Sequence, residues 1–131
     1  MTMAHALTLS VLARPLAICR LSALAPLPAW ATAEAFFSVT RTADELSVVC
    51  GERHVPGEAT ASRGWRALML HGPFDFALTG IMVSVAAPLA AASIPIFPIA
   101  TYDTDYILVR GEDLARSVEV LRAAGHSVVE E

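Results

Sequence analysis

The stretch from Ile94 to Val129 reads IPIFPIATYDTDYILVRGEDLARSVEVLRAAGHSVV. Residues 94–101 are almost wholly apolar, as a buried strand is. Residues 105–110 (DYILVR) repeat that character, and Asp103-Thr104 between them predicts a two-residue hairpin turn. From Glu112 to Ala124 the period changes. Leu114, Val118 and Leu121 recur at helical spacing, with Asp113, Arg116, Glu119 and Arg122 on the other face. Gly125 supplies a C-cap, and residues 126–129 a last short strand.

Toward the N-terminus, residues 79–92 (TGIMVSVAAPLAAA) predict a helix that is apolar nearly all round, the pattern of a buried helix. Pro88 should kink or shorten it. Residues 64–71 (GWRALMLH) predict the strand before it, ended by Gly72-Pro73. Residues 63–131 therefore read β-α-β-β-α-β, the split, ferredoxin-like order. Residues 1–62 carry strand patterns at 7–12, 16–22, 36–41 and 46–50, and a helical turn near Trp30. Ala43-Asp44-Glu45 is a hairpin-length connection, and the polar run 51–63 links the halves. The expected fold is an α+β sandwich of two halves, 1–62 with little helix and 63–131, with antiparallel sheet and helices packed on one face.

Composition narrows the function. The chain has 131 residues, 55% hydrophobic and 17% charged, with a formal net charge of −4. An ordered, acidic chain of this kind lacks the basic face that nucleic acid requires. It contains no Lys, Asn or Gln, which excludes Schiff-base and Walker-type lysines and any amide oxyanion donor. Cys19 and Cys50 fit no zinc spacing and read as small core residues. His5, His54, His71 and His126 share no metal spacing, so neither metal nor cofactor is expected. Ala31-Thr32-Ala33 imitates a signal-peptidase site, but no basic residue precedes the apolar stretch, and Arg14-Pro15 and Arg20 interrupt it. Residues 76–102 carry no charge apart from their flanks at Asp75 and Asp103, yet Pro88, Pro95 and Pro98 divide them. A buried helix and strand explain that run better than a membrane span, and a cytoplasmic location is expected.

Two segments carry binding chemistry. In the first, Gly72 to Ile81, free amides at a helix start can hold a carboxylate, and Gly80 leaves its backbone open to close approach. Asp75 or Thr79 as a simple N-cap is the structural alternative. The second, Thr101-Tyr102-Asp103-Thr104-Asp105-Tyr106, puts two carboxylates, two hydroxyls and two phenols around one turn. The carboxylates could bind an ammonium or guanidinium group. The same residues also suit a polar hairpin turn.

These segments bring out a resemblance. Phe36 to Thr42 with Asp44 to Cys50 looks like the first half of a small bacterial family of paired ACT domains. Gly64 to Leu68, Gly72-Pro73, Leu78 to Ile81, Pro88-Leu89-Ala90 and Thr101 to Arg110 resemble its second half. The arrangement is also similar to each half of the CASTOR-type eukaryotic arginine sensors. The resemblance implies ferredoxin-like ACT lobes in tandem, 1–62 and 63–131, in a non-catalytic regulatory module that binds an amino acid or related zwitterion where the C-terminal lobes of a homodimer meet. It implies backbone contacts from Thr79, Gly80 and Ile81, and contacts from Thr101, Tyr102 and Asp105 to the amine or side chain. The chain departs from the family at Ala91-Ala92-Ser93, where a Gly usually precedes the strand, and at Pro98, which removes a ladder donor and should mark an edge or bulge. An ACT-like interaction module without a small ligand is the alternative. A small enzyme using Asp103 and Asp105 as acid and base is disfavoured, because an exposed turn tunes carboxylates weakly.

Overall fold

The computed structural model describes residues 5–130. Eight strands run in the order β1 (Thr8–Val11), β2 (Leu16–Leu21), β3 (Ser38–Arg41), β4 (Leu46–Gly51), β5 (Ala61–Leu70), β6 (Ile96–Ala100), β7 (Asp105–Arg110) and β8 (Ser127–Glu130). Helix α1 (Ile81–Ala91) follows β5, and α2 (Leu114–Ala123) follows β7. Among the described residues, no helix is long and apolar enough to cross a membrane.

The chain divides into two compact units. One comprises the described residues up to Ala13 together with those from Arg66 on; the other is Arg14–Trp65. In the first unit the strand order is β8-β1-β5-β7-β6. β1 pairs antiparallel with β5 (Leu9 opposite Leu70) and parallel with β8 (Leu9 opposite Val128). The N-terminal strand is thus inserted between the first and last strands of the β-α-β-β-α-β run. The boundary read from the sequence at 62/63 assigns β1 to the first lobe; its ladders tie it to the second, because its two neighbours both come from there. Leu9, Val11, Leu68, Leu70, Ile107, Val109 and Val128 form one core with Ile81, Val85 and Leu89 of α1 and Val118 and Leu121 of α2. Both helices therefore pack on one face of the sheet.

Helix α1 is shorter than its sequence pattern and is not buried all round. It buries the stripe Ile81, Val85 and Leu89, while Val83 on the opposite side is 62% exposed. An apolar surface on every side shows that burial is tolerated everywhere, and the sheet covers one side. Pro88 lies inside the helix, which ends three residues later. α2 ends as expected. Gly125, at φ 99°, donates its N–H to the Arg122 carbonyl (3.1 Å), and His126 donates to Leu121 (3.0 Å). At the end of α1 Ser93 takes the same place at φ 59°, donating to Ala90 (2.9 Å), while Ile94 donates to Leu89 (3.0 Å). The missing family glycine has been replaced without changing the cap. β6, with Pro98 in it, pairs with β7 at the edge of the sheet, where a residue without an N–H is tolerated.

In the second unit the order is β3-β4-β2 followed by the first part of β5. Its core is Ala17, Cys19, Ala31, Leu46, Val48, Cys50 and Val55. Two 3-10 turns, Ala29–Thr32 and Glu52–His54, are its helical elements. Both cysteines are free and buried on adjacent strands, where Ala17 faces Cys50 and Cys19 faces Val48. Burial pushes both thiols up, Cys50 to about 12, with the neighbouring Cys19 thiol and Glu34 adding to its rise.

Candidate functional site

The connection between β6 and β7 is closed by its own threonines. The Thr101 N–H donates to the Thr104 carbonyl at 2.8 Å, and the Thr101 hydroxyl donates to the same oxygen at 2.9 Å. The Thr104 N–H returns a bond to the Thr101 hydroxyl at 3.2 Å. The central residues of the turn are consequently Tyr102 and Asp103, one position earlier than the Asp103-Thr104 pair predicted. The Thr104 hydroxyl donates to the Leu70 carbonyl (2.7 Å), and the Phe74 N–H to the Asp103 carbonyl (2.8 Å). The turn is thereby stitched to the end of β5 and to the loop before α1.

Two clefts flank this turn. The smaller, about 290 Å³, is lined by Phe74, Asp75, Phe76, Leu78, Ile81 and residues 100–105. The larger, about 470 Å³, lies toward Met69 to Pro73, Thr101, Asp103, Thr104 and Tyr106. In the larger cleft His71 Nε2 stands 2.5 Å from the Ser10 hydroxyl.

Of the six residues expected at a ligand site, Ile81, Thr101, Tyr102 and Asp105 share the smaller cleft. Thr79 and Gly80 are not in its lining. Gly80 caps α1 at φ 80°, a conformation other residues rarely adopt, and no side chain caps the helix start. The space where its side chain would stand faces the His5 ring, 3.6 Å away. His5 Nε2 in turn lies 3.0 Å from the Thr79 carbonyl.

Sequence reasoning missed several members. The Phe76 and Tyr102 rings meet edge to face, centroids 4.8 Å apart, and both are largely exposed (74% and 80%). Asp75 accepts a hydrogen bond from the Ala77 N–H at 2.8 Å and joins Asp103 and Asp105 in the lining. No Arg or His is in that lining, and among the described residues neither Asp103 nor Asp105 forms an ion pair. The Phe74-Asp75-Phe76 run was visible in the sequence as two aromatics around an acid beside a helix start. His5 had no local signal, being 74 residues from Thr79.

Helix α1 is supported from behind. His126, 5% exposed, accepts the Leu7 N–H on Nδ1 (3.1 Å) and donates from Nε2 to the Ser84 carbonyl (2.8 Å). The Ser84 hydroxyl donates to the Gly80 carbonyl (2.8 Å) and accepts the His5 N–H (3.3 Å).

Comparison with known proteins agrees with this architecture. Residues 60–123 match a family model described as an ACT domain, and residues 15–58 match one described as an N-terminal domain. A bovine relative, named cytosolic arginine sensor for mTORC1 subunit 1, is 32% identical over 108 residues, covering 69% of this chain and 33% of its own length. The chain thus spans about a third of that relative. The crystal structure of an Agobacterium tumefaciens protein superposes with a TM-score of 0.93 at 42% identity, covering 98% of this chain and 96% of that one. The regulatory subunit of aspartate kinase from Thermus thermophilus shares the fold, with a TM-score of 0.59 at 10% identity, covering 88% of this chain and 95% of that one. With the family model lying on the β-α-β-β-α-β run, residues 60–123 of this chain belong to the ACT-domain family.

Proposed function

We propose that this protein is a non-catalytic regulatory module that binds a free amino acid in the smaller cleft. One observation carries the reading. Three aspartates, Asp75, Asp103 and Asp105, line a cleft that also reaches Ile81, the first residue of a helix whose start no side chain caps. A helix start attracts a carboxylate, and the aspartates attract an ammonium or guanidinium group. One zwitterion answers both. The absence of a basic side chain from the lining favours a ligand with a cationic side chain, and the bovine relative's name, an arginine sensor, agrees.

In this reading Thr101, Tyr102 and Asp105 hold the amine or side chain, Ile81 offers its backbone to the carboxylate, and Thr79 and Gly80, outside the cleft lining, set the helix start beside it. The module acts as a cytoplasmic homodimer with the cleft closed by the second chain. Phe76, Leu78, Val83 and Tyr102 are large exposed apolar side chains on the cleft or the adjoining helix, and a second chain would cover them.

The test is a thermal-shift panel of the twenty amino acids and common polyamines at millimolar concentration, with the oligomeric state read by light scattering. Ligand at about 100 times its dissociation constant stabilises by about 2.7 kcal/mol. A shift of several degrees for arginine or lysine, with leucine and glutamate silent, supports the reading. A flat panel overturns it and favours a partner-binding ACT module, for which the same exposed apolar side chains would serve.

A further inference from the structure

We propose that residues 5–7 form a pH-sensitive strap over the start of α1, with His126 as its clasp and His5 as its grip on the Thr79–Ile81 loop. The link from strap to ligand affinity rests on the cleft function proposed above; the strap itself does not.

The geometry admits one protonation state. His126 Nε2 faces a carbonyl oxygen, that of Ser84, and must carry a hydrogen. Nδ1 faces a donor, the Leu7 N–H, and must be bare. Only the neutral Nε2–H tautomer meets both demands. Adding a proton places a second N–H against the Leu7 N–H, and that bond is lost. The Ser84 bond survives, so what opens is the strap and not the helix.

The consequence is carried along hydrogen bonds. Leu7 is two residues from His5. His5 donates its backbone N–H to the Ser84 hydroxyl, and its ring is bonded to the Thr79 carbonyl and lies over Gly80. Thr79 and Gly80 lead directly into Ile81 in the cleft wall. Releasing Leu7 therefore loosens the residues that fix the helix start.

Imidazole is the side chain whose charge changes between about pH 5 and 8. The elements around His126 contain few rivals. Helix α1 and strand β1 have no charged residue, and the strap contributes His5 itself. On α2, Arg116 donates to the Ala92 carbonyl (2.5 Å) and lies 3.8 Å from Asp113, and Glu119 is exposed. Arg122 donates to the Val128 carbonyl (2.7 Å) and lies 3.7 Å from Glu130, the charged residue of β8.

The test is residue-resolved amide exchange, corrected for intrinsic rates, on the ligand-free wild-type chain at pH 7.5 and 5.5, alongside His126→Gln. Gln can donate and accept but does not titrate. The expected result is a loss of protection of about tenfold or more at His5 and Leu7 in acid, with Ile107–Val109 of β7 unchanged. The His126→Gln variant should show no pH effect there. Equal wild-type protection at both pH values overturns the strap, with or without a foldable variant, and so does the same acid loss in His126→Gln.

L-Arginine is the probe for coupling. Its dissociation constant should rise about tenfold from pH 7.5 to 5.5 in the wild type and less than twofold in His126→Gln. His5→Ala at pH 7.5 should bind about as weakly as the acidified wild type. Arginine bound equally at both pH values overturns the coupling. If no amino acid binds at either pH, the cleft function fails with the coupling that depends on it, and the exchange data alone decide the strap.

Discussion

His126 donates from Nε2 to the carbonyl oxygen of Ser84, the oxygen that Pro88 leaves without a helical partner. In an α-helix the N–H of residue 88 would bond the carbonyl of residue 84, and proline has none. The helix continues through Pro88, and a side chain just before β8 takes the place of the missing N–H. His126→Ala should therefore lower stability by about 1–3 kcal/mol, since two half-buried groups lose their partner. The loss should be smaller in a Pro88→Ala background, where the new N–H can serve Ser84. Urea denaturation of the four proteins measures the coupling; equal losses in both backgrounds would refute a shared carbonyl.

Ser93 occupies a left-handed cap that Gly125 fills at the other helix. A residue with a side chain is strained there, and glycine is not. Ser93→Gly should raise stability by about 0.5–1 kcal/mol, the relief of strain exceeding the extra entropy of the unfolded chain. A lower unfolding midpoint would show that the serine contributes more than the cap geometry indicates.

Asp105 is half-buried at the start of β7 and forms no ion pair among the described residues. Asp105→Asn should leave stability nearly unchanged while weakening amino-acid binding about ten- to a hundredfold, the worth of one charge-assisted hydrogen bond. Calorimetric titration of both proteins distinguishes the outcomes. Affinity within about twofold of the wild type removes Asp105 from the site.

The buried thiols give an alkaline limit. Burial raises the pKa of Cys19 and Cys50 above the ordinary 9.0, Cys50 to about 12, so the folded chain keeps protons that the unfolded chain releases. Their contribution is fully present below about pH 9 and is lost as pH rises from there toward 12. Stability measured from pH 8 to 10.5 should fall, and Cys50→Ala should flatten the slope whatever its effect at neutral pH. An unchanged slope in that variant would assign the decline to other groups.

Much of this was visible in one dimension. Helix α2 could be read because Val118 and Leu121 alternate with Arg116, Glu119 and Arg122 at helical period. The turn at Thr101–Asp105 stood out because so many polar groups crowd one connection. Helix α1 was harder, since an unbroken apolar run cannot show which side meets the sheet. The place of β1 between β5 and β8 was not readable, because Leu9 finds its partners at Leu70 and Val128, far along the chain. His5 over Gly80 and His126 behind Ser84 are hidden for the same reason. Each is a single histidine without local pattern, given meaning by a contact across the fold.

The turn between β6 and β7 bonds to itself before anything else arrives. Thr101 and Thr104 exchange three hydrogen bonds, and Thr104 and Asp103 are tied to Leu70 and Phe74. Little backbone freedom would remain to be lost on docking of the proposed ligand there. Such a surface would select by shape rather than by folding around its guest. A planar guanidinium and a compact ammonium, equal in charge, present their N–H groups in different directions to carboxylates on a fixed frame, and fit separates them.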